Sequence, residues 1–152
     1  MNTDFIEKRA LLRAPIARVW RAISDSREFG AWFRMELEGD FREGARVRGR
    51  VTYPGYEHLT GELVIQRIQP PTYLSYRWHP HAVDPQRDYS QEPMTLVEFE
   101  LKEVPGGTEL TLRESGFDAL SAQAGRGLEA LRMNSEGWDA QLENVSRHVT
   151  SG

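Results

Sequence analysis

A long amphipathic stripe near the C-terminal end constrains the fold of this chain more than any other feature. Apolar or small side chains recur there in steps of three, four and seven, at Leu128, Leu131, Ser135, Trp138, Leu142, Val145 and Val149. This spacing predicts a helix with one apolar face, which is stable only when another layer covers it. The rest of the chain is therefore expected to supply a surface for this helix.

A run of alternating segments supplies that surface. Residues 45–53 show it most clearly, because Val47, Gly49, Val51 and Tyr53 alternate with three arginines and a threonine. A period of two predicts a half-buried strand. Comparable strands are expected at residues 5–14, 59–68 and 72–79, and at 97–102 and 110–113, which Pro105-Gly106-Gly107 joins as a hairpin.

Two short helices are predicted between the first strand and the second. Ile16, Val19, Trp20 and Ile23 lie on one helical face, and Ser24-Asp25-Ser26 ends this helix and caps another. The order is then strand, two helices, a run of antiparallel strands and one long helix. Segregated elements of this kind predict an α+β fold, in which a curved sheet of about five or six strands is covered by the C-terminal helix.

Composition narrows the class of protein. The chain has 152 residues, enough for a single domain over residues 1–152, and its net charge of −4 disfavours a general nucleic-acid binder. It contains no cysteine, which excludes disulfides, thiolate metal sites and cysteine nucleophiles. Neither a secretory signal nor a run of about 18 apolar residues is visible. A cytoplasmic protein without a membrane span is expected.

Several segments together carry a resemblance to a known family. They are Ala14 to Asp25 followed by Trp32-Phe33, Gly61-Glu62-Leu63, Ile68 to Leu74, Val97 to Leu101, Gly107 to Leu112, and Gly137-Trp138 followed by Leu142 and Val145. They resemble the bacterial activator of Hsp90 ATPase homolog 1-like (AHSA1-like) family of the START/Bet v 1-like (SRPBCC) superfamily. The resemblance implies a helix-grip fold, with a six- or seven-stranded antiparallel sheet wrapped around the C-terminal helix and an apolar cavity between them.

The resemblance leaves the function open, since this superfamily includes lipid carriers, hormone receptors, polyketide cyclases and co-chaperone domains. The preferred interpretation is binding of a small hydrophobic or aromatic ligand, lipid- or polyketide-like, in the cavity, without covalent chemistry and without a cofactor. The short helices around Ser26–Trp32 and the loop 80–93 would gate the mouth of the cavity. A polyketide cyclase-like enzyme that uses the same cavity is the alternative.

Two kinds of protein partner also remain as interpretations. An exposed sheet edge is compatible with a homodimer. The resemblance to a domain that binds Hsp90 in the eukaryotic co-activator suggests a chaperone partner. The chain has no room for the additional N-terminal domain of that co-activator, which weighs against stimulation of an Hsp90 ATPase.

The side chains expected to line the cavity are mostly aromatic, with a few polar groups that would orient a ligand. Trp138 is the central one, because Asn134, Ser135 and Gly137 leave room beside its ring where a packed core would more often carry Leu or Ile. For Phe99, ordinary core packing is the favoured interpretation. The full set is Trp32, Phe33, Tyr53, Tyr76, Trp78, His79, Phe99, Phe117, Asn134, Ser135 and Trp138.

No catalytic residue and no metal site are assigned from the sequence. His79 and His81 would point to one side of a strand, as metal ligands require, but Pro80 disrupts that geometry and no spacing fixes a third ligand. A polar loop at the cavity mouth is the preferred interpretation of this segment. No spacing identifies a working acid–base pair among the four candidates, which are Glu114, Glu62, His58 and His79.

Overall fold

The structure, a computed structural model, describes residues 2–151. Seven strands and four helices follow one another in the order that the sequence predicts, with two elements added. The elements are β1 (Phe5–Leu12), α1 (Ile16–Ser24), α2 (Ser26–Phe33), β2 (Met35–Glu38), β3 (Arg46–Val51), β4 (Thr60–Gln69), β5 (Tyr73–Trp78), β6 (Thr95–Val104), β7 (Gly107–Ser115), α3 (Phe117–Ala124) and α4 (Gly127–Thr150).

All seven strands form one antiparallel sheet in the order β1-β7-β6-β5-β4-β3-β2. The sheet is curved and unclosed, and the long helix α4 packs along its inner side together with α1 and α2. This is the helix-grip fold, so the predicted fold class is confirmed. No helix within residues 2–151 combines the length and the apolar character needed to cross a membrane.

Two elements were not predicted separately. The strand β2 has only four residues, Met35–Glu38, and pairs with β3 directly after α2. The helix α3 occupies the segment before the predicted break at Gly125 and Gly127. A side chain at Gly127 would collide with the backbone oxygen of Phe117, so the glycine allows α3 and α4 to pack closely.

The apolar stripe of α4 is covered by the rest of the molecule over most of its length. Trp138, Val145 and Val149 are buried in the core. The first member of the stripe, Leu128, is 61% exposed, and Ala130 faces the core in its place. The prediction that the stripe begins at Leu128 is therefore wrong, because the contact with α3 turns Gly127 and Ala130 inward at this end of the helix.

The helix α2 brings three aromatic side chains, Phe29, Trp32 and Phe33, to the core. Asp25 caps it by accepting hydrogen bonds from the backbone N–H groups of Arg27 and Glu28, which satisfies donors that a helix otherwise leaves free. Its last residue, Phe33, is buried, and the backbone oxygen of Phe33 accepts a hydrogen bond from Gln141 of α4 at 3.0 Å. This contact fixes the end of α2 against the middle of α4.

Candidate functional site

The carboxylate of Glu114 lies in the core between the sheet and α4. Side chains in a strand alternate between its two faces, and the inward face of β7 carries Thr108, Leu110, Leu112 and then Glu114. Glu114 is 0% exposed. Burying a charged group costs free energy unless hydrogen bonds or an opposite charge compensate it. The groups around this carboxylate therefore determine whether its burial is tolerated.

Four neutral side chains donate hydrogen bonds to this carboxylate. The indole N–H of Trp138 donates to Oε1 at 2.8 Å, and the indole N–H of Trp78 donates to Oε2 at 2.8 Å. The Thr95 hydroxyl donates to Oε2 at 2.6 Å, and the Asn134 amide lies 3.0 and 3.2 Å from the two oxygens. A carboxylate offers about four lone-pair sites, so the donors occupy its whole accepting capacity.

The hydroxyl of Tyr76 lies near this carboxylate and has no hydrogen-bond partner among residues 2–151. Tyr76, Val97 and Glu114 stand in one cross-strand row on β5, β6 and β7. Tyr76 is 0% exposed. Burial, and secondarily the charge of Glu114, raises the pKa of Tyr76 well above its usual value. The phenol therefore stays protonated and offers an unused donor and acceptor to a group beside it.

Aromatic rings enclose this polar centre. The Trp138 ring lies 5.8 Å from Phe33, 5.9 Å from Trp78 and 6.0 Å from Phe99, measured between ring centroids. The Tyr76 ring lies 5.5 Å from that of Trp78. We call these five residues the aromatic box. The rings occupy the space between the sheet and α4 in which the sequence predicts a ligand.

Exposure increases across the aromatic box toward one side. Glu114, Tyr76 and Trp138 are buried, whereas Trp78 and Asn134 are half-buried. His79 and Ser135 are also half-buried and adjoin these two residues in the chain. The side of the box formed by Trp78 and Asn134 is therefore its rim, and both rim residues bind Glu114 directly.

The structure brings together six of the eleven predicted ligand-lining residues, with His79 and Ser135 beside them in the chain. The six in contact through the box or the carboxylate are Phe33, Tyr76, Trp78, Phe99, Asn134 and Trp138. Trp32 adjoins the box, because its ring lies 5.7 Å from that of Phe33, while its indole N–H donates to the Ala22 oxygen at 2.8 Å and joins α2 to α1. Phe117 is buried at the start of α3.

Tyr53 lies outside this cluster. The strand β3 ends at Val51, and Tyr53 is 53% exposed in the following turn, where its ring lies 5.7 Å from that of Tyr56. The prediction that Tyr53 shares a strand face with Tyr76 and Trp78 is therefore wrong. The alternating pattern in the sequence therefore continues beyond the strand itself.

Two features of the site were not predicted. Glu114 was named only as a candidate acid or base, although its place two residues after Leu112 puts it on the apolar face of its strand. Thr95 was not named at all, although it precedes the inward-facing Val97 and Phe99 by the same step of two. The alternation was a sufficient signal for the burial of both residues, but not for their contact with α4.

The loop between β5 and β6 is held to the start of α4 by Arg126. The guanidinium of Arg126 binds Glu92 at 2.6 Å and the Pro80 oxygen at 2.7 Å, and it lies 4.7 Å from the Tyr89 ring. Burial acts to raise the pKa of Glu92, but the hydrogen bond and charge of Arg126 outweigh it and lower this pKa. The loop is thus fastened beside the rim, because it begins directly after Trp78.

His79 and His81 belong to this fastened loop. His79 lies 3.2 Å from the Glu92 backbone oxygen, and His81 lies 3.7 Å from the Glu129 carboxylate. Among residues 2–151, no three His, Cys, Asp or Glu side chains converge in a way that would hold a metal ion.

Two surface depressions lie away from the aromatic box. One, of about 390 Å³, lies between α1, α2 and Phe41, and the other, of about 500 Å³, lies on the outer face of the sheet around Tyr73 and Glu100. Neither is lined by Glu114 or by a residue of the box. The polar cluster around Glu114 is therefore the candidate site on chemical grounds.

Comparison with protein families identifies the group to which this fold and core belong. The family described as activator of Hsp90 ATPase homolog 1-like protein matches residues 13–150. The chain belongs to this family. The resemblance inferred from the sequence is thereby confirmed. Comparison with curated proteins gives no match.

Several solved structures share the fold of this chain. A protein from Arthrobacter aurescens matches with a TM-score of 0.79 at 17% identity, covering 100% of this chain and 90% of that one. CalU16 from Micromonospora echinospora matches with a TM-score of 0.62 at 25% identity, covering 96% and 74%. The Aha1 dimer from Colwellia psychrerythraea matches with a TM-score of 0.71 at 13% identity, covering 95% of each chain.

Proposed function

We propose that this protein binds a small apolar or aromatic ligand between the sheet and α4, with Glu114 and Tyr76 as the polar groups that orient it. The observation that carries this proposal is a fully buried carboxylate held by neutral donors beside a buried hydroxyl without a partner. Ligand pockets typically combine apolar and aromatic walls with a few placed polar groups, and the aromatic box has this composition.

The energetics of the core support a functional role for Glu114. Replacing buried ionic groups by apolar residues of similar volume is often neutral or stabilising, so a core that served stability alone would gain little from a carboxylate here. An unpartnered buried hydroxyl such as that of Tyr76 also costs free energy. Both costs fall in the same cross-strand row, which is the arrangement expected of a binding site.

The donors around Glu114 divide into fixed and replaceable ones. Thr95 and Trp138 are buried and hold the carboxylate from the inside. Trp78 and Asn134 lie at the rim, so movement of their side chains opens the box and frees accepting positions on the carboxylate. A ligand that enters there replaces the rim donors and meets the Tyr76 hydroxyl next.

In the closed arrangement, Glu114 has no free lone pair with which to act as a general base. A general base must lie within hydrogen-bond reach of the proton it removes and accept it on a free lone pair. All four accepting sites of Glu114 are in use while Trp78 and Asn134 remain in place. A polyketide cyclase-like reaction in the same site therefore stands as the alternative, and it is tested by assaying any ligand found for turnover.

A thermal-shift screen against fatty acids, sterols, flavonoids, aromatic polyketides and arylalkyl amines tests the proposal. A ligand at 100 times its dissociation constant adds about 2.7 kcal/mol, which corresponds to a rise in Tm of about 5–10 °C for a domain of this size. A shift confined to one chemical class supports the proposal. A flat screen with well-folded protein contradicts it and directs attention to an Hsp90-family chaperone, tested by an ATPase assay.

The variant Tyr76→Phe locates the binding site. It removes one hydroxyl, so affinity for a ligand that bonds this group is expected to fall about fivefold, the equivalent of about 1 kcal/mol. The matched control is Tyr73→Phe, which makes the same change on the same strand but on the outer face, where the hydroxyl bonds Glu98. Equal affinities of all three proteins would contradict the proposed site.

We also propose that the protein forms a homodimer through a sheet edge. The sheet leaves β1 and β2 at its two edges, and β1 is the longer, with eight residues. Edge strands present unpaired backbone groups that can pair with another chain. Sedimentation equilibrium is expected to give twice the mass of the chain, and a monomer mass at high protein concentration would contradict the dimer.

A further inference from the structure

We infer that the ligand of the aromatic box is a cation, an ammonium group attached to an apolar or aromatic body. This inference rests on the proposed function and names the chemical class of its ligand. It starts from the charge of the site. The side chains that contact Glu114 are all neutral: Trp78, Thr95, Asn134 and Trp138.

The site has no internal counter-charge. No Lys, Arg or His side chain within residues 2–151 forms a hydrogen bond or an ion pair with Glu114. Among residues 2–151, the buried arginine is Arg126, at the start of α4, whose Nε and Nη1 bind Glu92 and backbone oxygens of the β5–β6 loop. The donors that hold both carboxylate oxygens are all uncharged, so a cationic ligand is the group that would complement Glu114.

The aromatic rings of the box also favour a positively charged ligand. Aromatic faces carry negative electrostatic potential and attract ammonium groups, most strongly for tryptophan. Two of the five rings are those of Trp78 and Trp138, which lie 5.9 Å apart and both donate to Glu114. An ammonium group that enters at the rim beside these rings is attracted by them and by the carboxylate together.

The rim geometry gives an ammonium group suitable hydrogen-bond positions. Trp78 and Asn134 each present an N–H to the carboxylate from the half-buried side. An ammonium N–H that takes the place of either donor makes a charge-assisted hydrogen bond in place of a neutral one. The Tyr76 hydroxyl, which lacks a partner, then accepts a second N–H of the ligand or a separate polar group.

The same features reject an anionic ligand. A carboxylate ligand, such as a fatty acid, would place a second negative charge beside Glu114 in a medium that screens charge poorly. Among residues 2–151, the buried cation is Arg126, which is paired with Glu92. The inference therefore separates amines from fatty acids within the general class of apolar ligands.

Three probes of nearly the same shape test the inference by calorimetry. They are (1-naphthylmethyl)ammonium, its neutral isostere 1-ethylnaphthalene and 1-naphthylacetate. The wild-type protein is expected to bind the ammonium probe at least about tenfold more tightly than the neutral isostere, in the range measured for desolvated cation–π contacts, and to bind the acetate most weakly. Equal or tighter binding of the neutral isostere, or no binding of the ammonium probe at millimolar concentration, overturns the inference.

The variant Glu114→Gln identifies the origin of the preference. It keeps the shape of the side chain and removes its charge, so the preference for the ammonium probe is expected to fall to about threefold or less, the part that the rings supply. The matched control is Glu100→Gln, which removes one charge from an exposed position on the outer face of the sheet and is expected to keep the wild-type ratio. An unchanged ratio in Glu114→Gln overturns the assignment to this carboxylate.

Failure of this inference and failure of the proposed function give different results. If the neutral isostere or a fatty acid binds and Tyr76→Phe weakens it, the box binds ligands but does not select cations. If no probe and no member of the wider screen binds, the proposed function itself is wrong. The comparison of wild-type affinities for the three probes needs no variant, so the test stands even if Glu114→Gln folds poorly.

Discussion

Replacing Glu114 by glutamine or leucine tests whether the buried network stabilises the fold. In Glu114→Gln the amide nitrogen must occupy the place of one carboxylate oxygen. If it replaces Oε1, it faces the N–H groups of Trp138 and Asn134, and if it replaces Oε2, it faces Trp78 and Thr95. The second orientation is favoured, because the Thr95 hydroxyl can rotate and accept a hydrogen bond.

The loss in the free energy of unfolding can be estimated from the donors that each variant leaves without an acceptor. In that orientation, the Trp78 N–H loses its acceptor, which costs about 1–3 kcal/mol for a buried group and toward the lower end for a residue at the rim. Leucine removes the acceptor of every donor. The buried donors of Thr95 and Trp138 then have no acceptor. At about 1–3 kcal/mol for each, the free energy of unfolding falls by about 2–6 kcal/mol.

Urea unfolding followed by circular dichroism measures the free energies of unfolding. It does not depend on tryptophan fluorescence, which changes when Trp78 and Trp138 lose their acceptor. For a domain of this size, each 1 kcal/mol corresponds to about 2–4 °C in Tm, so both variants are also expected to melt earlier, leucine more than glutamine. The control Glu100→Gln lies on the exposed outer face and is expected to change the free energy of unfolding by less than about 0.5 kcal/mol.

One result would refute this reasoning. If Glu114→Leu is as stable as the wild type or more stable, the cost of burying the carboxylate exceeds what its four hydrogen bonds return. The network would then be a net burden on folding. That result would leave binding as the only role for Glu114, whereas a loss in the expected order is compatible with both roles.

Two further predictions concern contacts away from the box. Arg126→Met removes the hydrogen bonds that fasten the loop to α4, so amide hydrogen exchange in residues 80–93 is expected to accelerate roughly 5- to 100-fold, with unchanged protection there as the contrary result. Burial acts to raise the pKa of Glu28, but hydrogen bonds from His148 and Arg18 outweigh it and lower this pKa. Its stabilising contribution should therefore be complete above the unfolded carboxyl pKa of about 4.3 and disappear as pH falls through the lower folded value, so the stability difference between the wild type and Glu28→Gln should shrink below about pH 4 in urea unfolding.

The order of elements could be predicted because each strand and helix carries its own periodicity. The alternation along β3, β6 and β7 and the stripe of α4 are local patterns, and the structure places these elements where the patterns indicate. The strand β2 was missed because its four residues are too few to establish a period. Tyr53 was misplaced because the alternation continues past Val51, where the strand ends.

The site was harder to predict because it depends on the distance between elements. The sequence places Tyr76, Trp78 and Trp138 on inward faces, and alternation places Glu114 there as well. It does not show that Trp138 points its N–H at Glu114, since that contact depends on how α4 lies across β7. The room expected beside Trp138 is instead occupied by Asn134, whose amide binds the same carboxylate.

Removing Glu114 alone and removing Glu114 together with its hydrogen-bond donors should affect stability differently. Deleting Glu114 alone strands donors on both sides of the box, so it is expected to be destabilising. Replacing Glu114, Thr95 and Asn134 by apolar residues, and Trp78 and Trp138 by Phe, removes every donor together with the acceptor, which in other cores is often neutral or stabilising. If this fully apolar core is at least as stable as the wild type, the five residues are not explained by folding. Their common position at the rim and centre of one aromatic box then assigns them to the recognition of a ligand, and the loss of probe binding in that same variant is the direct measure of that role.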